Sequence, residues 1–118
     1  MNSREQIRLG LIGVGKWGFN YLKTIQNIKG ARITLIACRD INKNRILSNK
    51  YELTTDWNEI LNSLQIDGVI IATPPKMHYQ IAKEAIKKNK PIIIEKPMTL
   101  NIEDSKNLLL QALKKKLL

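Results

Sequence analysis

The chain has 118 residues, with twenty Lys plus Arg against ten Asp plus Glu, a formal net charge of +10 and 43% hydrophobic residues. That length supports one core, and the density of large apolar side chains excludes disorder over most of it. A single cysteine and a single histidine exclude an internal disulfide and a multi-thiolate or multi-imidazole metal centre. No apolar run reaches the roughly eighteen residues of a membrane span. Residues Met1 to Gln6 carry no signal-peptide apolar stretch, so a cytoplasmic location without membrane association is expected. The charge has two readings. Fifteen Lys against five Arg, beside eighteen Ile and eleven Asn, fit an AT-rich coding sequence. The alternative is a basic surface serving an anionic ligand or partner.

Apolar periodicity alternates between short runs and longer helical stretches, with no internal repeat. Ile7-Arg8-Leu9-Gly10-Leu11-Ile12 reads as a strand ending in glycines. A helix from about Trp17 to Ile28 follows, with Tyr21, Leu22, Ile25 and Ile28 at helical spacing and Gly30 as its stop. Ile33 to Cys38 is a second apolar run, and a polar helical stretch leads through Arg45, Ile46 and Leu47 toward Tyr51. Asp56 is placed to cap a third helix, with Glu59 reaching back as in a capping box and Ile60, Leu61 and Leu64 as the buried stripe. Gly68 to Ala72 is continuously apolar, as in a strand covered on both faces, and stops at Thr73-Pro74-Pro75. The next helix turns Ile81, Ala82, Ala85 and Ile86 inward and Lys83, Lys87 and Lys88 outward, then hands over to Pro91-Ile92-Ile93-Ile94, a fourth strand. Asn101 caps the last helix, whose acidic first turn (Glu103, Asp104) and basic end (Lys114 to Lys116) complement the helix dipole. Four strands alternating with four helices define an α/β, Rossmann-type doubly wound parallel sheet of about four strands.

Gly13-Val14-Gly15-Lys16-Trp17-Gly18 fits G-x-G-x-x-G, directly after the first strand and opening the first helix. Gly13 allows the tight turn, Gly15 lets backbone approach a pyrophosphate, and Gly18 lets helix and strand pack closely. The alternative is a tight strand-to-helix turn without a ligand. A P-loop is excluded, because no Gly-Lys-Ser or Gly-Lys-Thr follows. In such folds the residue about twenty past the last glycine selects the cofactor, an acid for a ribose hydroxyl or an Arg for a 2′-phosphate. That position is Cys38, followed by Arg39, which favours NADP over NAD. Asp40, next in line, would reverse the preference if the strand ended one or two residues later.

Three stretches resemble the glucose–fructose oxidoreductase, inositol dehydrogenase and MocA family of NAD(P)-dependent oxidoreductases. They are the glycine loop, Val69-Ile70-Ile71-Ala72-Thr73-Pro74-Pro75-Lys76-Met77-His78, and Ile94-Glu95-Lys96-Pro97 running into Met98-Thr99-Leu100. With their spacing they cover nearly the whole chain. The resemblance implies that Gly13, Gly15, Lys16, Trp17 and Gly18 line the pyrophosphate and nicotinamide side, and Cys38 and Arg39 the adenosine ribose. It implies that Thr73, Pro74 and His78 wall the cofactor crevice and that Glu95 contacts the ribose side. Lys96 is the implied catalytic residue, beside the nicotinamide and the substrate hydroxyl, aimed there by a cis bond to Pro97.

The family also carries an antiparallel substrate domain with an aspartate and a histidine for proton transfer, and these lie beyond the 118 residues. The expectation is therefore a single dinucleotide-binding domain over 1–118, truncated relative to the full fold, whose sugar, polyol or nucleotide-sugar substrate requires a second domain. Ile92, Ile93 and Ile94 would form an open sheet edge through which copies pair. Two other readings compete. One is a stand-alone nucleotide-binding or redox-sensing module. The other is a nucleic-acid binder, which Lys87-Lys88 and Lys114 to Lys116 favour and 5% aromatic residues argue against.

Overall fold

The computed structural model describes residues 6–117. Five parallel strands form one sheet in the order β3-β2-β1-β4-β5. In chain order the elements are β1 (Ile7–Ile12), α1 (Lys16–Ile25), β2 (Ala31–Ala37), β3 (Glu52–Thr54), α2 (Trp57–Asn62), β4 (Gly68–Ile71), α3 (His78–Lys87), β5 (Ile92–Ile94) and α4 (Ile102–Lys114). Strand order reverses direction at β1 and β4, which leaves a crevice at their carboxyl ends where ligands of open α/β sheets bind.

Each central strand sends alternate residues to opposite faces. Ile12, Val69 and Ile71 join Ile60 and Leu61 of α2, Ile81, Ala82, Ala85 and Ile86 of α3 and Leu108 of α4 on one face. Leu11 and Ile70 meet Leu22 and Ile25 of α1 on the other. Ile33 and Ile36 share that second face although three residues apart, because the β1–β2 register shifts by one at Thr34. Thr34 Oγ1 donates to Leu9 O at 3.1 Å across the irregularity.

The α/β class and parallel sheet match the expectation, and several details differ. A fifth strand, β3, pairs with the outer side of β2, and the stretch expected to be helical before it is one short 3-10 turn, Arg45–Asn49. The first helix ends at Ile25, with Gln26 rather than Gly30 closing it, so Ile28 is 45% exposed instead of on the buried stripe. The third helix stops at Asn62, so Leu64 is 90% exposed and Ile66 takes the core position in its place. Asp56 caps that helix through Asn58 N–H at 2.9 Å. Its own N–H is taken by Thr54 Oγ1 rather than by Glu59, so the capping box is only half made. Asn101 caps α4 as read, accepting from Asp104 N–H at 2.8 Å. β5 lies at the sheet edge with Ile93 51% exposed.

Candidate functional site

The loops leaving β1, β2, β4 and β5 enclose a crevice of about 1000 Å³. Its floor is the glycine loop. Gly13 adopts φ +100, and a Cβ there would lie 2.7–2.8 Å from the backbone of Ala72 and Thr73. The position therefore joins β1 to the β4 exit at a distance only glycine permits. A Cβ on Gly18 would strike Gly13 O. Gly18 is accordingly buried behind the crevice as a packing residue and does not line it. Gly15 is different, because a Cβ there would meet no protein atom within 4 Å. Packing gives no reason for glycine at Gly15, whereas a ligand lying on the loop does.

Gly15 is also the N-cap of α1, without a side-chain cap and with no acid in the first turn. The first N–H groups of the helix thus face the crevice with the positive end of the dipole, and Lys16 adds a cation at the same lip. Trp17, 53% exposed, lines the crevice beside Lys16.

At the end of β2 the crevice is lined by Cys38, Arg39 and Asp40, and by Lys43 and Asn44, which the sequence did not single out. Cys38 is buried, its backbone N–H donating to Thr54 O at 2.9 Å, and burial pushes its thiol pKa up. A protonated thiol in this place is a small apolar side chain. Asp40 Oδ1 accepts from Lys43 N–H at 3.2 Å and so closes the local turn, while Arg39 and Lys43 are exposed cations at the rim.

Across from them stand Thr73, Pro74, Pro75 and Met77 from the β4 exit, and Glu95 and Lys96 from the β5 exit. Thr73 Oγ1 is buried without a hydrogen-bond partner. A buried hydroxyl left unpaired costs about 1–3 kcal/mol, which a polar ligand in the crevice would relieve. Glu95 Oε2 accepts from Tyr21 O–H at 2.8 Å, and Glu95 Oε1 accepts from Lys96 N–H at 3.2 Å. Burial first, then Glu95, raise the Tyr21 pKa, so the phenol keeps the proton it donates. The Lys96 side chain is exposed at the crevice with no carboxylate partner among the described residues, and its bond to Pro97 is cis.

His78 does not wall the crevice. It opens α3 wholly buried, with Nδ1 2.9 Å from Pro97 O and Nε2 2.8 Å from Thr73 O. The expected site residues are thus brought together except Gly18 and His78, which sit one layer behind. Tyr21, Lys43 and Asn44 carry no local motif. Trp57, at the start of α2, lines the crevice as Lys43 and Asn44 do, again without a sequence signal, whereas Tyr21 bears on it only through Glu95. An uncapped helix N-terminus, an open glycine and an orphaned hydroxyl fit the pyrophosphate and sugar hydroxyls of a dinucleotide.

Over residues 7–118 the chain matches the model of an oxidoreductase family with an NAD-binding Rossmann fold. It is 35% identical over 112 residues to glycosyl hydrolase family 109 protein 2 of Shewanella sp. (strain ANA-3), covering 85% of this chain and 25% of that protein. It is 33% identical over 108 residues to scyllo-inositol 2-dehydrogenase (NAD(+)) of Bacillus subtilis (strain 168), covering 86% of this chain and 31% of that one. An oxidoreductase from Bacillus cereus superposes with a TM-score of 0.88 at 31% identity, over 96% of this chain and 33% of that structure. GenD2 from gentamicin A biosynthesis, solved with NAD, shares the fold with a TM-score of 0.91 at 22% identity, over 97% of this chain and 33% of its own. The chain spans about a quarter to a third of the length of these relatives.

Proposed function

Because the chain belongs to the glucose–fructose oxidoreductase, inositol dehydrogenase and MocA family, with its NAD-binding Rossmann fold, we propose that it is the cofactor-binding part of a dehydrogenase acting on a sugar, polyol or nucleotide-sugar hydroxyl. The observation that carries this reading is Gly15, open-sided at an uncapped helix start. Lys96 stands at the opposite lip of the same crevice.

In this reading Gly13, Gly15, Lys16 and Trp17 hold the pyrophosphate and nicotinamide side, with Gly18 supporting the loop from behind. Thr73 and Pro74 form the facing wall, and Glu95 meets the ribose. A bound nicotinamide supplies the hydride acceptor or donor. Lys96 Nζ orients the substrate hydroxyl by hydrogen bonding and helps to move its proton, which makes it the proposed catalytic residue. A carboxylate partner would neutralise that role, and none of the described residues pairs with it.

For the cofactor we propose NADP over NAD, because Arg39 and Lys43 place two cations at the β2 rim while Asp40 Oδ1 is engaged by Lys43 N–H. NAD is the second reading, favoured by the lining position of Asp40 itself and by the NAD(+)-dependent name of the Bacillus subtilis relative. Calorimetric titration of the chain with NADPH and, separately, NADH tests both. Saturable binding with NADPH the tighter is expected, and Arg39→Ala should weaken NADPH about tenfold or more with little effect on NADH. Tighter NADH that is lost in Asp40→Ala would establish the second reading. A folded chain that binds neither would overturn the proposed function.

A further inference from the structure

His78 lies outside the crevice, yet it joins two of the loops that build it. The β4 exit contributes Thr73 and Pro74 to the facing wall, and the β5 exit contributes Glu95 and Lys96. The ring stands between the Thr73 and Pro97 carbonyls, at 2.8 and 2.9 Å, with no exposure to solvent. Pro97 follows Lys96 directly, so the contact fixes the backbone on one side of the lysine. On the other side Glu95 is held by Tyr21 of α1 at 2.8 Å. The Lys96 side chain has no ion pair of its own among the described residues, so its direction depends on these neighbours.

We propose that His78 is a positioning residue: wedged wholly buried between the Pro97 and Thr73 carbonyls, with a ring N–H donated to one of them by the neutral ring and to both only by the doubly protonated ring, it holds the Lys96 turn against the β4 exit, and with it the nicotinamide end of the site. This rests on the proposed dinucleotide reading. The adenosine end is built from Cys38, Arg39, Asp40 and Lys43 of the β2 exit, which His78 does not touch. Loss of the ring therefore acts on one half of the ligand only.

NADH and ADP-ribose, which lacks the nicotinamide, separate the two halves. His78→Ala should weaken NADH at least fivefold and leave ADP-ribose within twofold of the wild-type affinity, with His78→Gln, which retains an N–H donor, recovering part of the NADH loss. The chain holds a single histidine, so its ring resonances are unambiguous. In the unsubstituted protein a slowly exchanging ring N–H is expected in the proton–nitrogen spectrum, shifted by NADH and not by ADP-ribose. That measurement stands even where His78→Ala fails to fold. Equal weakening toward both ligands, no weakening toward either, or a ring N–H that both ligands shift alike would overturn the positioning role. A wild-type chain that binds neither ligand would instead overturn the reading of the site, and this inference with it.

Discussion

Gly13 and Gly15 stand two residues apart and are glycine for different reasons. Gly13 needs φ +100 and sits within 2.7–2.8 Å of the β4 exit backbone, whereas Gly15 faces open space. Gly13→Ala should therefore cost about 2 kcal/mol or more of stability, from strain and overlap, read as a lower denaturant midpoint. Gly15→Ala should change stability by no more than about 0.5 kcal/mol while weakening dinucleotide binding about tenfold. Ligand binding unaffected in Gly15→Ala would remove the central support for the site. The spacing of these glycines was legible because the turn they build between a strand and a helix is local, whereas the close approach of Gly13 to Ala72 and Thr73 is not and appears only in the fold. Tyr21 was not legible as a site residue, since its partner Glu95 lies seventy-four residues away and helical spacing alone made it a core residue.

Elements end where tertiary contacts end them, and α2 illustrates this. Its apolar spacing continues to Leu64, but the chain leaves the helix at Ser63 and Ile66 enters the core. Lys90, just before β5, stabilises that exit. Its Nζ donates to Ser63 O at 2.6 Å and Ile66 O at 2.5 Å, capping the last carbonyls of the segment from a buried position. Burial pulls the Lys90 pKa down, with nearby Asp67 opposing. Lys90→Met should lower stability by about 1–3 kcal/mol by leaving two carbonyls unpaired, and an unchanged unfolding midpoint would count against the cap. Among fifteen lysines nothing in sequence marks Lys90 as the buried one. α3 and α4 follow their sequence patterns more closely, because Ile81, Ala82, Ala85 and Ile86 form an unbroken stripe and Asn101 with Asp104 is a self-contained cap.

Across the whole molecule, the end of the sheet opposite the crevice is closed by Arg8 of β1 and Asp67 before β4. The guanidinium donates to both carboxylate oxygens, at 2.9 and 3.1 Å, and Arg8 N–H adds a third bond at 2.7 Å. These bonds hold the Asp67 carboxyl at about 2, below its ordinary 3.8. A carboxyl depressed in the folded state contributes stability above its unfolded value, and that contribution is lost as pH falls toward the folded one. Stability should accordingly decline from about pH 4 to about pH 2, and Asp67→Asn should flatten that part of the curve. Parallel acid-unfolding curves for the two proteins would remove Asp67 from the account. Composition, alternation and the glycine motif determined the α/β class and the glycine loop, because these depend on neighbours within one turn or one strand, and the parallel sheet followed from the alternation, since strand–helix–strand units cross over with one hand. Only the tertiary structure decided the fifth strand, the register shift at Thr34, the burial of His78 behind the wall and the Tyr21–Glu95 contact. Those depend on which distant segments meet, and a periodic pattern carries no record of its partner.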